Sequence, residues 1–161
     1  MAAAFRPAKT MIRPRFHIPD ASRLTKHKVR PPFYSTKWTL PDGNCMFHAF
    51  AKAIGNINHR AARQAAVTHI ANNRQSFAPY VDGNIENYIA TMAALGEYGD
   101  HITLRALSTA FQVGIKVLEQ RDNGEYRWVE AAGDRFRQFV VLFYSGEHYE
   151  NLIASEDVSK A

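Results

Sequence analysis

A chain of 161 residues, 46% apolar and 22% charged, has the size and makeup of one globular domain able to bury a real core. Its single cysteine excludes an internal disulfide and suits a reducing compartment such as the cytoplasm, or a host cell's cytoplasm if the source is a pathogen. No run approaches the roughly 18 apolar residues a membrane span needs, and no Cys-x-x-Cys or His-Glu-x-x-His spacing points to zinc.

The formal net charge of +5 is unevenly placed. Residues 1–37 carry nine Lys or Arg against one acid, Asp20, whereas the remainder carries eleven basic and fourteen acidic residues. The leader also holds Pro7, Pro14, Pro19, Pro31 and Pro32, which discourage a long helix. A basic arm of this kind reads first as a solvated tail, and second as a segment that binds nucleic acid. Its Ala2–Ala4 start, with Arg and no early acid, has a faint transit-peptide character. Phe16, Ile18, Phe33 and Tyr34 favour burial against the body. The domain organisation expected is a leader over 1–37, a body over 38–154 that starts near Phe33–Trp38, and a tail over 155–161.

In the body, Asp42-Gly43-Asn44 is a turn that ends on Cys45. The stretch Met46 to Ile54 is apolar except for His48 and Lys52, so it predicts a helix buried nearly all round. Gly55 stops it. Asn58 caps a second helix, through about Asn73, with Ala62, Ala66, Val67 and Ile70 on one side. Val81-Asp82-Gly83-Asn84 is a turn and cap, after which Ile85, Tyr88, Ile89, Met92 and Ala93 form an amphipathic stripe. Asp100 caps a further helix carrying Leu104, Leu107, Ala110 and Phe111.

The period then changes to two. Val113, Ile115 and Val117 alternate with Gly114 and Lys116, and Asp122-Asn123-Gly124 marks a hairpin leading to Tyr126 and Trp128. Arg137 to Tyr144 is too apolar for a one-sided strand and belongs at the centre of the sheet. A last strand, His148 to Ala154, follows the Ser145-Gly146 turn. Helices first and strands afterwards predict an α+β fold with helices packed around a small, largely antiparallel β-sheet.

Chemistry concentrates at Cys45. An unpaired cysteine is often just a small buried hydrophobe. At a helix N-terminus, however, unpaired N–H groups and the helix dipole stabilise a thiolate, so a depressed pKa is expected. The backbone N–H groups of Asp42, Gly43, Asn44 and Cys45 are candidate oxyanion donors. A thiol nucleophile needs a base, and His148, at the mouth of the last strand, is the best placed of the seven histidines.

Asp42-Gly43-Asn44-Cys45-Met46-Phe47-His48-Ala49 resembles the signature of the OTU (ovarian tumour) cysteine deubiquitinases. The His148-Tyr149 pair after a hydrophobic strand resembles their second signature. Tyr98-Gly99-Asp100, with the helix after it, resembles their Trp-Gly-Gly segment, Tyr98 standing in the Trp place. The resemblance covers about residues 38–154. It implies a papain-like fold and a monomeric thiol isopeptidase that needs no cofactor and acts on ubiquitin, polyubiquitin or a ubiquitin-like modifier. Cys45 would form the acyl-enzyme, with His148 as base and then acid. The same fold without turnover would be a ubiquitin-binding module. Asp42 belongs to the matching active-site motif and either shapes the turn or approaches the histidine. Many members carry Asp or Asn two residues after the histidine to orient it; here that position is Glu150, with Asn151 one further on. Side chains two apart on a strand share a face, which favours Glu150, then Asn151.

Overall fold

The computed structural model describes residues 34–37 and 39–154; the basic leader up to residue 33 and the tail from 155 lie outside the described residues. Five strands form one sheet: β1 (Tyr34–Lys37), β2 (Gly114–Gln120), β3 (Tyr126–Ala132), β4 (Phe139–Ser145) and β5 (His148–Ala154), in the order β1-β5-β4-β2-β3. Five α-helices precede β2: α1 (Cys45–Ile54), α2 (His59–Asn72), the single turn α3 (Arg74–Phe77), α4 (Ile85–Ala93) and α5 (His101–Phe111). The fold is α+β, with the helices packed around a small sheet as expected. Among the described residues no helix is long and apolar enough to cross a membrane.

Local chemistry explains most element boundaries. Asn58 accepts from the Ala61 N–H, and Asn84 from those of Glu86 and Asn87, so each caps its helix. Asp100 and Thr103 exchange bonds in a capping box at the start of α5. All of α1 is buried except His48 and Lys52. Phe50 meets Phe111 edge-on, with ring centroids 5.1 Å apart, which fixes α1 against α5. Ala93 departs from the expected stripe: α4 ends there, the chain turns outward, and its side chain is exposed.

β4 is central and buried on both faces. Val140 and Leu142 join the helix-side core, while Val141 and Phe143 join Leu118, Tyr126 and Leu152 on the far side. The β2–β3, β4–β5 and β1–β5 pairings are antiparallel, but β2 and β4 run parallel. The sheet is therefore mixed. The antiparallel hairpin strand β3 brings the chain back to the end of the sheet where β2 began, and residues 133–138 cross to β4 on the other side of β2.

Candidate active site

The turn before α1 is built from its own polar groups. Asp42 Oδ1 accepts from the Asn44 N–H at 2.9 Å, and the Asp42 carbonyl accepts from the Cys45 N–H at 3.1 Å. The Asp42 N–H donates to the Leu40 carbonyl at 2.9 Å. Of the N–H groups expected as oxyanion donors, those of Asp42, Asn44 and Cys45 are thus occupied within the turn; that of Gly43 has no partner among the described residues. Asp42 acts here as the residue that shapes the turn.

Asn44 sits at the N-cap without capping. Its Oδ1 accepts instead from Arg63 Nη2 and from the Gly96 N–H, each at 2.8 Å. These partners are far away in sequence, on α2 and on the segment between α4 and α5. Arg63 is 2% exposed although it neighbours the apolar stripe of α2. Neither contact was visible in the sequence: an arginine inside a helical pattern reads as a solvated residue.

Cys45 is 2% exposed and lines a cleft of about 400 Å³. Met46, Tyr98, Gly99 and Asp100 line one part of it, and Tyr144, Glu147 and Tyr149 line another. The Tyr144 and Tyr149 rings lie 4.6 Å apart. Burial pushes the Tyr149 phenol up to about 12. A Cβ at Gly99 would stand 2.2 Å from Met46 Cε, so the flexible end of that methionine would have to shift to admit one.

The thiol departs from the expectation of a depressed pKa. Burial pushes Cys45 up from its ordinary value, and the Asp42 carboxylate adds to the rise. The N–H groups of Tyr149, Met46 and Cys45 itself favour the thiolate without overcoming that burial. The helix terminus is present as expected, but it lies under protein instead of facing water.

His148 starts β5, opposite Ser145. Its Nε2 lies 3.5 Å from Glu150 Oε1, at the outer edge of hydrogen-bonding range. Its Nδ1 is buried and has no hydrogen-bond partner, so that end of the ring makes no bond to the thiol in this state. Residues opposite each other on paired strands share a face. Tyr149 opposes Tyr144, and Asn151 opposes Leu142 of the helix-side core; Glu150 opposes Phe143 on the far side. Glu150 therefore keeps company with His148, whereas Asn151, 3% exposed, faces the other way. Tyr149 is the β5 side chain that lines the cleft. Among the described residues no group of three His, Cys, Asp or Glu is placed to hold a metal ion.

A family model for OTU-like cysteine proteases matches residues 40–149. The OVARIAN TUMOR DOMAIN-containing deubiquitinating enzyme 10 of Arabidopsis thaliana is 29% identical over 122 residues, which is 74% of this chain and 34% of that protein. Enzyme 11 of the same series and plant is 30% identical over 117 residues, covering 71% of this chain and 48% of the relative. The chain thus spans between a third and a half of these relatives' lengths. A solved ovarian tumour (OTU) domain in complex with ubiquitin superposes with a TM-score of 0.65 at 25% identity, over 76% of this chain and 71% of that one.

Proposed function

The chain belongs to the OTU-like cysteine protease family, and from that premise we propose that it is a thiol isopeptidase that releases ubiquitin or a ubiquitin-like modifier from lysine. The observation that carries the reading is the position of Cys45: a nucleophile at a helix N-terminus, in a cleft also lined by Tyr144 and Tyr149 of the last two strands. The ubiquitin complex of the superposed domain supports the partner.

In this reading the modifier's C-terminal tail lies along the cleft between Tyr98-Gly99 and Tyr144-Tyr149. Once the imidazole at the mouth of β5 turns toward the sulfur, His148 takes the Cys45 proton through Nδ1, the ring nitrogen that Glu150 leaves unengaged. The sulfur attacks the carbonyl carbon of the isopeptide, and the oxygen becomes an oxyanion. The N–H of Gly43 is the turn donor available to it, and such a donor is commonly worth about 3 kcal/mol. Collapse breaks the C–N bond, with His148 returning the proton to the lysine amine. Water, deprotonated by His148, then attacks the thioester and frees the modifier's carboxylate and the thiol. Glu150 orients the imidazole, and Asp42 holds the turn.

The test is a ubiquitin carrying a thiol-reactive electrophile in place of its C-terminal carboxylate. Since Cys45 is the single cysteine, an adduct can form only there, and Cys45→Ala abolishes it. Failure of the folded wild type to react with ubiquitin and ubiquitin-like probes overturns the proposal. Tight binding of ubiquitin without an adduct would identify a binding module instead.

A further inference from the structure

We infer that Arg63 is a positioning residue for the acyl transfer proposed above, on which this inference rests: its guanidinium joins the nucleophile turn to the segment that carries Tyr98 and Gly99 to the cleft. Arg63 projects from α2 and makes four bonds to oxygen. Nη1 donates to the Met92 carbonyl at 2.9 Å, and Nη2 donates to the carbonyls of Gly43 at 3.2 Å and Glu97 at 2.8 Å and to Asn44 Oδ1 at 2.8 Å. The cation also lies over the Phe47 ring of α1, 4.2 Å from its centroid. One side chain thus touches the turn, α1, the end of α4 and the segment that follows it.

A residue that merely finished α4 would need only the Met92 and Glu97 carbonyls. The bonds to Gly43 and Asn44 go further, because they end on the turn that delivers Cys45. Asn44 Oδ1 also takes the Gly96 N–H at 2.8 Å, so the turn and segment 94–99 are tied twice. Their backbones are in direct contact: a Cβ on Gly43 would stand 1.5 Å from the Gly96 carbonyl oxygen. Segment 94–99 then delivers Tyr98 and Gly99 to the cleft. The spacing between the turn's Gly43 N–H and the wall that holds the substrate tail is set by this cation. Lysine cannot replace it, since an ammonium is a compact point donor and lacks the planar fork that spans separate acceptors. Displacements of about 1 Å in such a site can cost about a hundredfold in rate.

The experiment compares Arg63→Lys and Asn44→Ala with wild type on a ubiquitin C-terminal fluorogenic amide, with kcat and KM corrected for the folded fraction. Iodoacetamide alkylation of Cys45 is followed in parallel, because it needs the thiol but no oxyanion donor. The expected result is a kcat lower by about tenfold to a hundredfold in each variant with alkylation unchanged. The double variant should fall no further than the worse single one, as residues acting through one contact do. Should Arg63→Lys not fold, Asn44→Ala still reads the tie, through the same kcat loss and faster hydrogen exchange at Gly96. Wild-type kinetics in the folded variants, or losses that merely follow the unfolded fraction, overturn the inference alone. A wild type inert toward ubiquitin substrates overturns the proposed function and this inference with it.

Discussion

Cys45 is pulled in two directions. Backbone N–H groups from α1 and from Tyr149 favour the thiolate, and burial opposes it more strongly. The part from α1 was readable in the sequence because a helix start is local; the Tyr149 N–H and the burial were not, because both come from distant chain folded around the sulfur. The free protein should therefore alkylate as a high-pKa thiol. We expect the iodoacetamide rate to inflect at or above the ordinary thiol range of about 8.5. An inflection near pH 6 that rises in His148→Ala would instead show that an imidazolium partner overrides burial. For the third residue, alternation along β5 favoured Glu150 from sequence, and Glu150 Oε1 lies 3.5 Å from His148 Nε2. Glu150→Ala should lower kcat/KM by about tenfold or more, equivalent to roughly 1.4 kcal/mol of transition-state stabilisation, and Asn151→Ala by much less. Activity equal to wild type in Glu150→Ala, with a large loss in Asn151→Ala, would hand the role to Asn151.

At the scale of elements, legibility follows the range of the contacts. Asn58, Asn84 and Asp100 cap with atoms two or three residues away, so their helices begin where the sequence says. Asn44 looks the same in sequence but spends its carbonyl on Arg63 and Gly96, and only the folded chain reveals that. Gly43 belongs to the same junction. Its lack of a side chain matters for space and not for backbone angle, because a Cβ would collide with the carbonyl of Gly96. That obstacle is main chain and cannot swing aside. Gly43→Ala should open the junction, cost about 1–3 kcal/mol as overpacking does, and remove most turnover. Gly83 is the control: its φ of +85° strains an alanine, but nothing stands within 4 Å. Gly83→Ala should lose about 1 kcal/mol and keep its kcat. Thermal melts and steady-state rates of the two variants decide it; Gly43→Ala with the melting temperature and rate of wild type would contradict the contact.

For the whole molecule, the run from Phe139 to Tyr144 announced a strand buried on both faces, but sequence could not foresee the pairing of β1 with β5 or the parallel match of β2 with β4, since both join distant segments. The same packing sets how stability should respond to pH. Burial lowers His48, His59 and His69 below the ordinary imidazole value, with the close approach of the His48 and His59 rings, 4.0 Å between centroids, adding to the effect at His59. Their neutral forms are favoured in the fold, so this stability is present above about pH 6.5 and is lost as pH falls further. Burial raises Cys45, Tyr88 and Tyr149, again favouring neutral forms. Their contribution is complete below the unfolded values, about 8.5 for the thiol and about 10 for the phenols, and is lost as pH rises. The melting temperature should thus be flat between about pH 7 and 8.5 and fall on both sides. Tyr88 gives the alkaline limb a separate check, because its hydroxyl donates to the Asp100 carboxylate at 2.8 Å, which adds to the effect of burial. Tyr88→Phe removes both that bond and a group that must ionise. It should melt lower than wild type at pH 7.5, yet lose less between pH 9 and 11. A calorimetric series in which the variant keeps the full alkaline slope would show that Tyr88 has no part in it.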